Sequence, residues 1–320
     1  MVQEDKKIKV TVCVVTHNQE KYISQCLGSI MAQETNFDFE VIVGDDCSTD
    51  GTQKIINEFA ARYPNIIKPV FHKENIGPCN NLISVYKKAM GEYIAHMDGD
   101  DFMLPGKLRI QAEELDKNPD CAMCVHAVKQ FDQHNQRYHK FKAKALPKKS
   151  DIPFLLMNFP FFAHSSKMFR AEYHKDMKLL TDEFLDCYLH IHHALKGKIL
   201  YLDDFLGVYR FGVGLSTVIN NNNHDYAILK TKMLKLAIDA IEYAGHNGVN
   251  EGIINRAKAK VYLRYSYYYL MKRDFNRFRA VLNNSIEAAK LGNVQFLFKC
   301  FSKVPWFLFL LARLRLLFIE

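Results

Sequence analysis

Residues 9–18 read KVTVCVVTHN, a near-continuous apolar and β-branched run that stops at Thr16, His17 and Asn18. A run without polar alternation is what a strand buried on both faces of a parallel sheet requires. Downstream, Tyr22, Ile23, Cys26, Leu27 and Ile30 fall at helical spacing. A second strand is expected in FDFEVIVGDD (Phe37 to Asp46), which ends in carboxylates. STDGTQKIINEF then opens a helix, with Ser48, Thr49 or Asp50 as its N-cap. NIIKPVFH, NNLISVYKKAM and GEYIAHMD continue as strand, helix and strand. Such alternation predicts an α/β fold, a doubly wound and mostly parallel sheet. Ligands of these sheets bind at the carboxyl ends of the strands. Thr16-His17-Asn18, Asp45-Asp46 and Asp98-Gly99-Asp100-Asp101 should therefore converge on one crevice.

Composition sets the outer limits. The 320 residues are 48% hydrophobic and 24% charged, which suits a globular chain of one large or two smaller domains. The start, MVQEDKKIKV, lacks the apolar core of a signal peptide, and the eight cysteines are scattered, so a reducing cytoplasmic setting is expected. Cys121-Ala-Met-Cys124 has a C-x-x-C spacing but lies in an apolar run without a second pair, and is read as buried structural thiols. Charge is uneven: residues 225–320 hold 16 Lys+Arg against 7 Asp+Glu, within a chain whose net charge is +8.

The segment YIAHMDGDDFMLP (Tyr93 to Pro105) packs Asp98, Asp100 and Asp101 into four residues at a strand end. Like charges this close repel unless a cation sits among them. A D-x-D at a strand end suits Mn²⁺ or Mg²⁺, which takes one or two carboxylates and completes its shell with phosphate oxygens and water. The cation would also neutralise a leaving diphosphate.

Four blocks carry a resemblance. VTVCVVTHNQEKYISQCLGSI, FEVIVGDDCSTDGT, NIGPCNNL with AMGEYIAHMDGDDFMLPGKL, and FLDCYLHIHHALKGKI are similar, in order and spacing, to the signature blocks of glycosyltransferase family 2. The similarity covers about residues 8–215. It implies a GT-A fold, a nucleotide-sugar donor and inversion at the anomeric carbon. It implies that Thr16, His17 and Asn18 line the nucleotide pocket and that Asp46 accepts a hydrogen bond from the base, commonly uracil. It implies further that Asp98 reaches the ribose or the metal's water shell, that Asp100 ligates the metal and that Asp101 supports it. Asp45 is better read as capping the next helix.

The reaction also needs a carboxylate to deprotonate the attacking hydroxyl. In relatives this is an Asp before a helix that runs into Gly-Lys. Here LTDEFLDCYLHIHHALKGKI offers Asp182, Glu183 and Asp186, and the spacing to Gly197-Lys198 together with Leu189 selects Asp186, with the other two as alternatives. Ser165 and Ser166, in AHSSKMFR, resemble the family's acceptor-side segment. Phe211 stands where relatives often have a metal-ligating His. His190, His192 and His193 do not share one helix face and are expected at the surface or facing an acceptor.

After about residue 220 the chain turns helical. The expected layout is a catalytic domain at 1–220, a helical appendage at 221–295, whose tyrosines 262–269 are packing, and an apolar, basic tail at 296–320. The tail's longest unbroken apolar stretch, Val304 to Ala312, is too short to span a bilayer. An interfacial segment fits it, with Trp306 and phenylalanines in lipid and Lys299, Lys303, Arg313 and Arg315 at headgroups; a helix packed on protein is the alternative. The expected partners are a nucleotide-sugar and a glycan or lipid-linked glycan at the inner face of the plasma membrane, with no nucleic acid. Two rival readings stand beside this one. A nucleotidyltransferase should carry a glycine-rich phosphate loop, which VVTHNQEKY lacks. A catalytically silent sugar-binding or scaffold subunit is the other.

Overall fold

A computed structural model of the chain describes residues 7–141, 146–159, 161–175, 186–213 and 223–313. Its first part alternates: β1 (Val10–Thr16), α1 (Ile23–Met31), β2 (Phe39–Asp45), α2 (Thr52–Arg62), β3 (Ile67–Phe71), α3 (Pro78–Tyr86) and β4 (Tyr93–Asp98). Next come β5 (Phe102–Met103), α4 (Lys107–Lys117), β6 (Cys121–Asp132), β7 (Arg137–Phe141) and β8 (Lys149–Ser150). They lead into α5 (Ile152–Asn158), a 3₁₀ turn at His164–Ser166, β9 (Met168–Arg170), α6 (Glu172–Lys175), α7 (Asp186–Ala194) and β10 (Lys198–Phe211). The remaining described helices are α8 (Asn223–His246), α9 (Glu251–Met271), α10 (Phe275–Ala288), α11 (Asn293–Cys300) and α12 (Pro305–Arg313).

One sheet takes in all of these strands, in the order β3-β2-β1-β4-β9-β6-β10-β5, with β7 beside β6 and β8 beside β10. β3, β2, β1, β4, β6 and β10 point the same way, and β9 runs against its two neighbours β4 and β6. The register sets Val15 opposite both Gly44 and Asp98, which brings the ends of β2, β1 and β4 side by side. That alignment places the site.

Each face of β1 is covered by a helix its sequence makes amphipathic. Ile23, Cys26, Leu27 and Ile30 of α1 and Leu108, Ala112 and Leu115 of α4 are fully buried in one core cluster with Val10, Val12, Val14 and Met97. Truncating Leu27 to Ala there should cost about 2–5 kcal/mol. On the other face Cys13 Sγ points to Val85 O of α3 at 3.7 Å, and Asn81 Nδ2 donates to Gly44 O at 2.9 Å. Gly44 permits that approach, because a Cβ on it would lie 2.3 Å from Asn81 Oδ1. Cys121 and Cys124 are buried in β6, as structural thiols should be. The start of α2 departs from expectation: Gly51 holds the N-cap position. Asp50 Oδ1 accepts from Thr52 N at 3.0 Å, and Glu20 Oε2 accepts from Gly51 N at 2.7 Å.

The chain divides into two compact units: Met1–Asp151 with Pro160–Asp186 and His192–Asn222, and Ile152–Phe159 with Cys187–Ile191 and Asn223–Glu320. Inside the second, Asn250 caps α9 and Asp274 caps α10, while Ser285 Oγ donates to Ala259 O at 2.7 Å. Tyr269 is buried and bonded to Thr231, and Tyr267 stacks near Phe298. Among the described residues no helix is long and apolar enough to cross a membrane. Leu308, Phe309 and Ala312 of α12 face inward, whereas Trp306 and Leu310 are exposed. Arg315 lies outside the described residues.

Candidate active site

Two loops at the ends of β1 and β2 are stitched together before any ligand arrives. Thr16 is buried; its Oγ1 donates to Gln19 Oε1 at 2.7 Å and its carbonyl accepts from Asp46 N at 3.0 Å. His17 Nδ1 donates to Asp46 O at 2.8 Å. Asn18 adopts a left-handed φ of 51°, which lets Oδ1 accept from Thr49 N at 2.8 Å while its own N–H reaches Ser48 Oγ at 2.8 Å. Asp46, also buried, accepts the Ile76 N–H at 2.7 Å, tying in the loop that starts α3. Asp45 serves the turn that follows it: it accepts from Ser48 N at 3.0 Å, from Ser48 Oγ and from Gln53 Nε2 at 2.6 Å.

The carboxylates at the end of β4 face three ways. Asp98 Oδ1 accepts from His96 Nε2 at 3.1 Å. Between Asp98 and Asp100, Gly99 is hemmed in: a Cβ there would sit 2.4 Å from Gln19 Oε1 and 2.9 Å from Thr16 Cβ. Burial and the Asp98 charge push the Asp100 carboxyl up to about 7. Asp101 turns inward, fully buried, accepting from Ser165 Oγ at 2.5 Å and from Arg210 N at 2.8 Å. Arg210 closes the loop from β10, with Nε donating to Asp100 O at 2.6 Å and Nη2 to Gln25 Oε1 at 2.5 Å, over the Tyr22 and Phe102 rings. Lys107 is buried beside Asp101 and donates to Ser165 O at 2.5 Å; burial pulls its ammonium down to about 7.

Asp186 opens α7, a first-turn position that a carboxylate favours. Its side chain is 63% exposed, and His164 Nε2 lies 3.9 Å from its Oδ1. Desolvation by the surrounding walls, and then the Asp98 carboxylate, push Asp186 up to about 6, against the pull of Lys167.

A strand-end cluster of acids, stitched loops beside it and a further acid at a helix start are what the opening motifs implied, and the comparisons decide the lineage. The sequence pattern described as Glycosyl transferase family 2 matches residues 11–178. The chain belongs to glycosyl transferase family 2. An uncharacterised Mycobacterium tuberculosis protein is 35% identical over 202 residues, 63% of this chain and 58% of that one. The chain thus spans somewhat more than half the length of that relative. The crystal structure of TarS 1–349 of Staphylococcus aureus with UDP-GlcNAc superposes with a TM-score of 0.65 at 20% identity, over 88% of this chain and 82% of that one. A mannosyltransferase from Pyrobaculum calidifontis, in complex with GDP-Man and Mn²⁺, gives 0.57 at 17% identity, over 90% and 77%. The fold is of the GT-A type, with C-terminal helices.

Against the family's pattern, several residues stand differently from the sequence expectation. Asp101 turns into the protein, one oxygen accepting from Ser165 Oγ and the other from Arg210 N. Ser165 and Ser166 are buried and spent internally, on Asp101 Oδ2 and on Ala163 O at 2.7 Å, so neither hydroxyl is offered to an acceptor. His190, His192 and His193 are buried rather than superficial: His192 Nε2 meets Tyr173 O at 2.8 Å and His193 stacks on Phe169. Phe211 is 58% exposed. Asp182 and Glu183 lie outside the described residues.

No group of three or more His, Cys, Asp or Glu among the described residues is arranged to hold a metal. Burial first, and then the Asp98 charge, raise Asp100, and a hard cation that fills its shell from phosphate and water would offset both. The donor set fits such an ion.

Arg210, Lys107 and Gln19 are site residues that no sequence motif above names. Arg210 had a signal, since it directly precedes Phe211 at the end of an apolar strand; the other two had none.

Proposed function

We propose that this chain is an inverting glycosyltransferase that moves a sugar from a UDP-sugar to a hydroxyl of a growing surface glycan. The observation that carries the reading is the placement of Asp98 and Asp100 at the end of β4, level with the stitched ends of β1 and β2, with Asp186 close enough to feel the Asp98 charge. TarS, named a poly(ribitol-phosphate) beta-N-acetylglucosaminyltransferase, supports the polymer class and the UDP donor.

In this reading the Thr16–Asn18 turn lines the nucleotide pocket, and Asp46, fixed by Ile76, receives the base. Asp98 takes the ribose. Asp100 would hold Mn²⁺ or Mg²⁺, which when bound neutralises charge on the leaving diphosphate. Asp186 accepts the proton of the acceptor hydroxyl as its oxygen bonds the anomeric carbon. The carbon–phosphate-oxygen bond breaks on the opposite face, and its electron pair leaves with the nucleoside diphosphate. Asp101, with Arg210, Lys107 and Ser165, keeps the loop in place.

The catalytic domain, in this reading, is residues 1–220, the helical appendage 221–295 and the tail 296–320. Exposed Phe296, Trp306 and Leu310, near Lys299, Lys303 and Arg313, suit the surface of an anionic membrane, where a lipid-linked acceptor resides at the cytoplasmic face.

The test is turnover of a panel of UDP-sugars with and without Mn²⁺, in wild type, Asp100→Ala and Asp186→Asn. Loss of Mn²⁺-dependent turnover in Asp186→Asn with donor binding retained is expected. Donor binding indifferent to both Mn²⁺ and Asp100 sinks the metal assignment and favours the silent sugar-binding reading.

A further inference from the structure

Behind the two acids of the proposed reaction lies a buried polar layer to which that reaction gives no task. His96 is fully buried and donates from Nε2 to Asp98 Oδ1, since a carboxylate only accepts. Its ring lies against that of His164, centroids 4.0 Å apart. His164, 8% exposed, faces Asp186 Oδ1 at 3.9 Å. Two imidazoles therefore span the distance from Asp98 to Asp186.

Lys167 stands across the β-ladder from His96, whose N–H donates to Lys167 O at 3.1 Å, so their side chains share a face. Its ammonium is fully buried, makes no hydrogen bond among the described residues and lies 5.1 Å from the Phe169 ring centre. Such a charge is expensive unless opposite charge surrounds it. Burial pulls Lys167 down to about 7, and the fields of Asp186 and Asp98 oppose that pull.

We propose that His164, braced by His96, is a positioning residue for the Asp186 carboxylate, and that Lys167 is the buried counter-charge that keeps this carboxylate ionised. This rests on the reading of Asp186 as the base. Among the described residues, the titratable groups that interact with Asp186 are Asp98 of β4, His164 of the 3₁₀ turn, Lys167 just before β9, Tyr86 of α3 and Tyr209 of β10. Both tyrosines hold their protons well above neutral pH, Tyr209 to about 12. Among the described residues, Lys167 is therefore the cation on which the ionised form depends.

The full chain labelled with ¹³C-carboxyl aspartate reports the Asp186 midpoint directly, its signal assigned by its loss in Asp186→Asn. In Lys167→Met the midpoint should move up by about one pH unit. The acid limb of kcat for the UDP-sugar that wild type hydrolyses fastest should move with it. In His164→Gln, kcat should fall about tenfold with the donor KM unchanged, the mark of a misplaced base. An unmoved midpoint in a cooperatively folded Lys167→Met chain overturns the proposal. Should that chain fail to fold, unchanged kcat in His164→Gln overturns it equally. Turnover retained in Asp186→Asn removes the base reading and this inference with it. Turnover lost there while the midpoint ignores Lys167 removes the inference alone.

Discussion

Arg210 and Asp101, 109 residues apart, are joined by the Arg210 N–H donating to Asp101 Oδ1 at 2.8 Å. The same arginine reaches back over the loop to Asp100 O and Gln25. The end of β10 thereby latches the carboxylate loop at the end of β4.

Arg210→Lys keeps the charge but loses the fork that serves Asp100 O and Gln25 together. Unfolding in urea should show a loss of about 2 kcal/mol, and turnover should fall more than donor affinity. Unchanged turnover would mean that the latch is not needed for the loop's working geometry.

Lys107→Met removes the buried donor to Ser165 O beside Asp101 and should cost about 1–3 kcal/mol. Adding Asp101→Asn should recover part of that loss, which a double-mutant cycle measures. The pH dependence has a defined sign. Lys107 moves from 10.5 to about 7 on folding, so the folded chain binds fewer protons between those values and wild-type stability gains as pH rises through them. Lys107→Met should lack that gain.

Gly99→Ala drives a methyl group into Gln19 Oε1 and Thr16 Cβ. Gln19 can swing aside, but Thr16 Cβ is fixed to β1, so the loop must shift. Turnover should drop about a hundredfold. Gly99→Ala with Gln19→Ala should restore only part of it, as kcat/KM for a UDP-sugar will show.

With Asp186 raised to about 6, the proposed base is protonated below that pH, so kcat should fall as pH drops through 6 and level off above it. A profile flat from pH 5 to 8 would contradict the assignment.

Trp306→Ala with Phe296→Ala should reduce co-sedimentation with anionic vesicles about tenfold or more, leaving hydrolysis of a soluble UDP-sugar unaltered. Equal sedimentation would favour packing of the tail against protein.

The parallel half of the sheet was legible because β1, β2 and β4 announce themselves as apolar runs ending in polar or acidic residues, and register alone then aligns their ends. The direction of β9 was not. Met168–Arg170 is too short for periodicity, and its place between β4 and β6 depends on pairings far apart in the chain. Within the site, local loops were readable where a motif carried them, as at Thr16–Asn18. The inward turn of Asp101 was not, since it follows from Ser165 and Arg210, partners that spacing does not disclose. The histidines of α7 misled for a related reason: helical spacing shows that they diverge, but only the packing of Phe169 and Tyr173 shows that they diverge into the interior.

The left-handed backbone at Asn18 (φ 51°) and Cys47 (φ 57°) has a kinetic consequence. Each such residue stores strain of about 1–3 kcal/mol, incurred when the chain folds rather than when a ligand arrives. Under the proposed function, a nucleotide meeting these loops finds a surface that needs little further ordering. Its association should approach the rate of simple encounter, with a small heat-capacity change, and differences in affinity among donors should lie in how fast each one leaves.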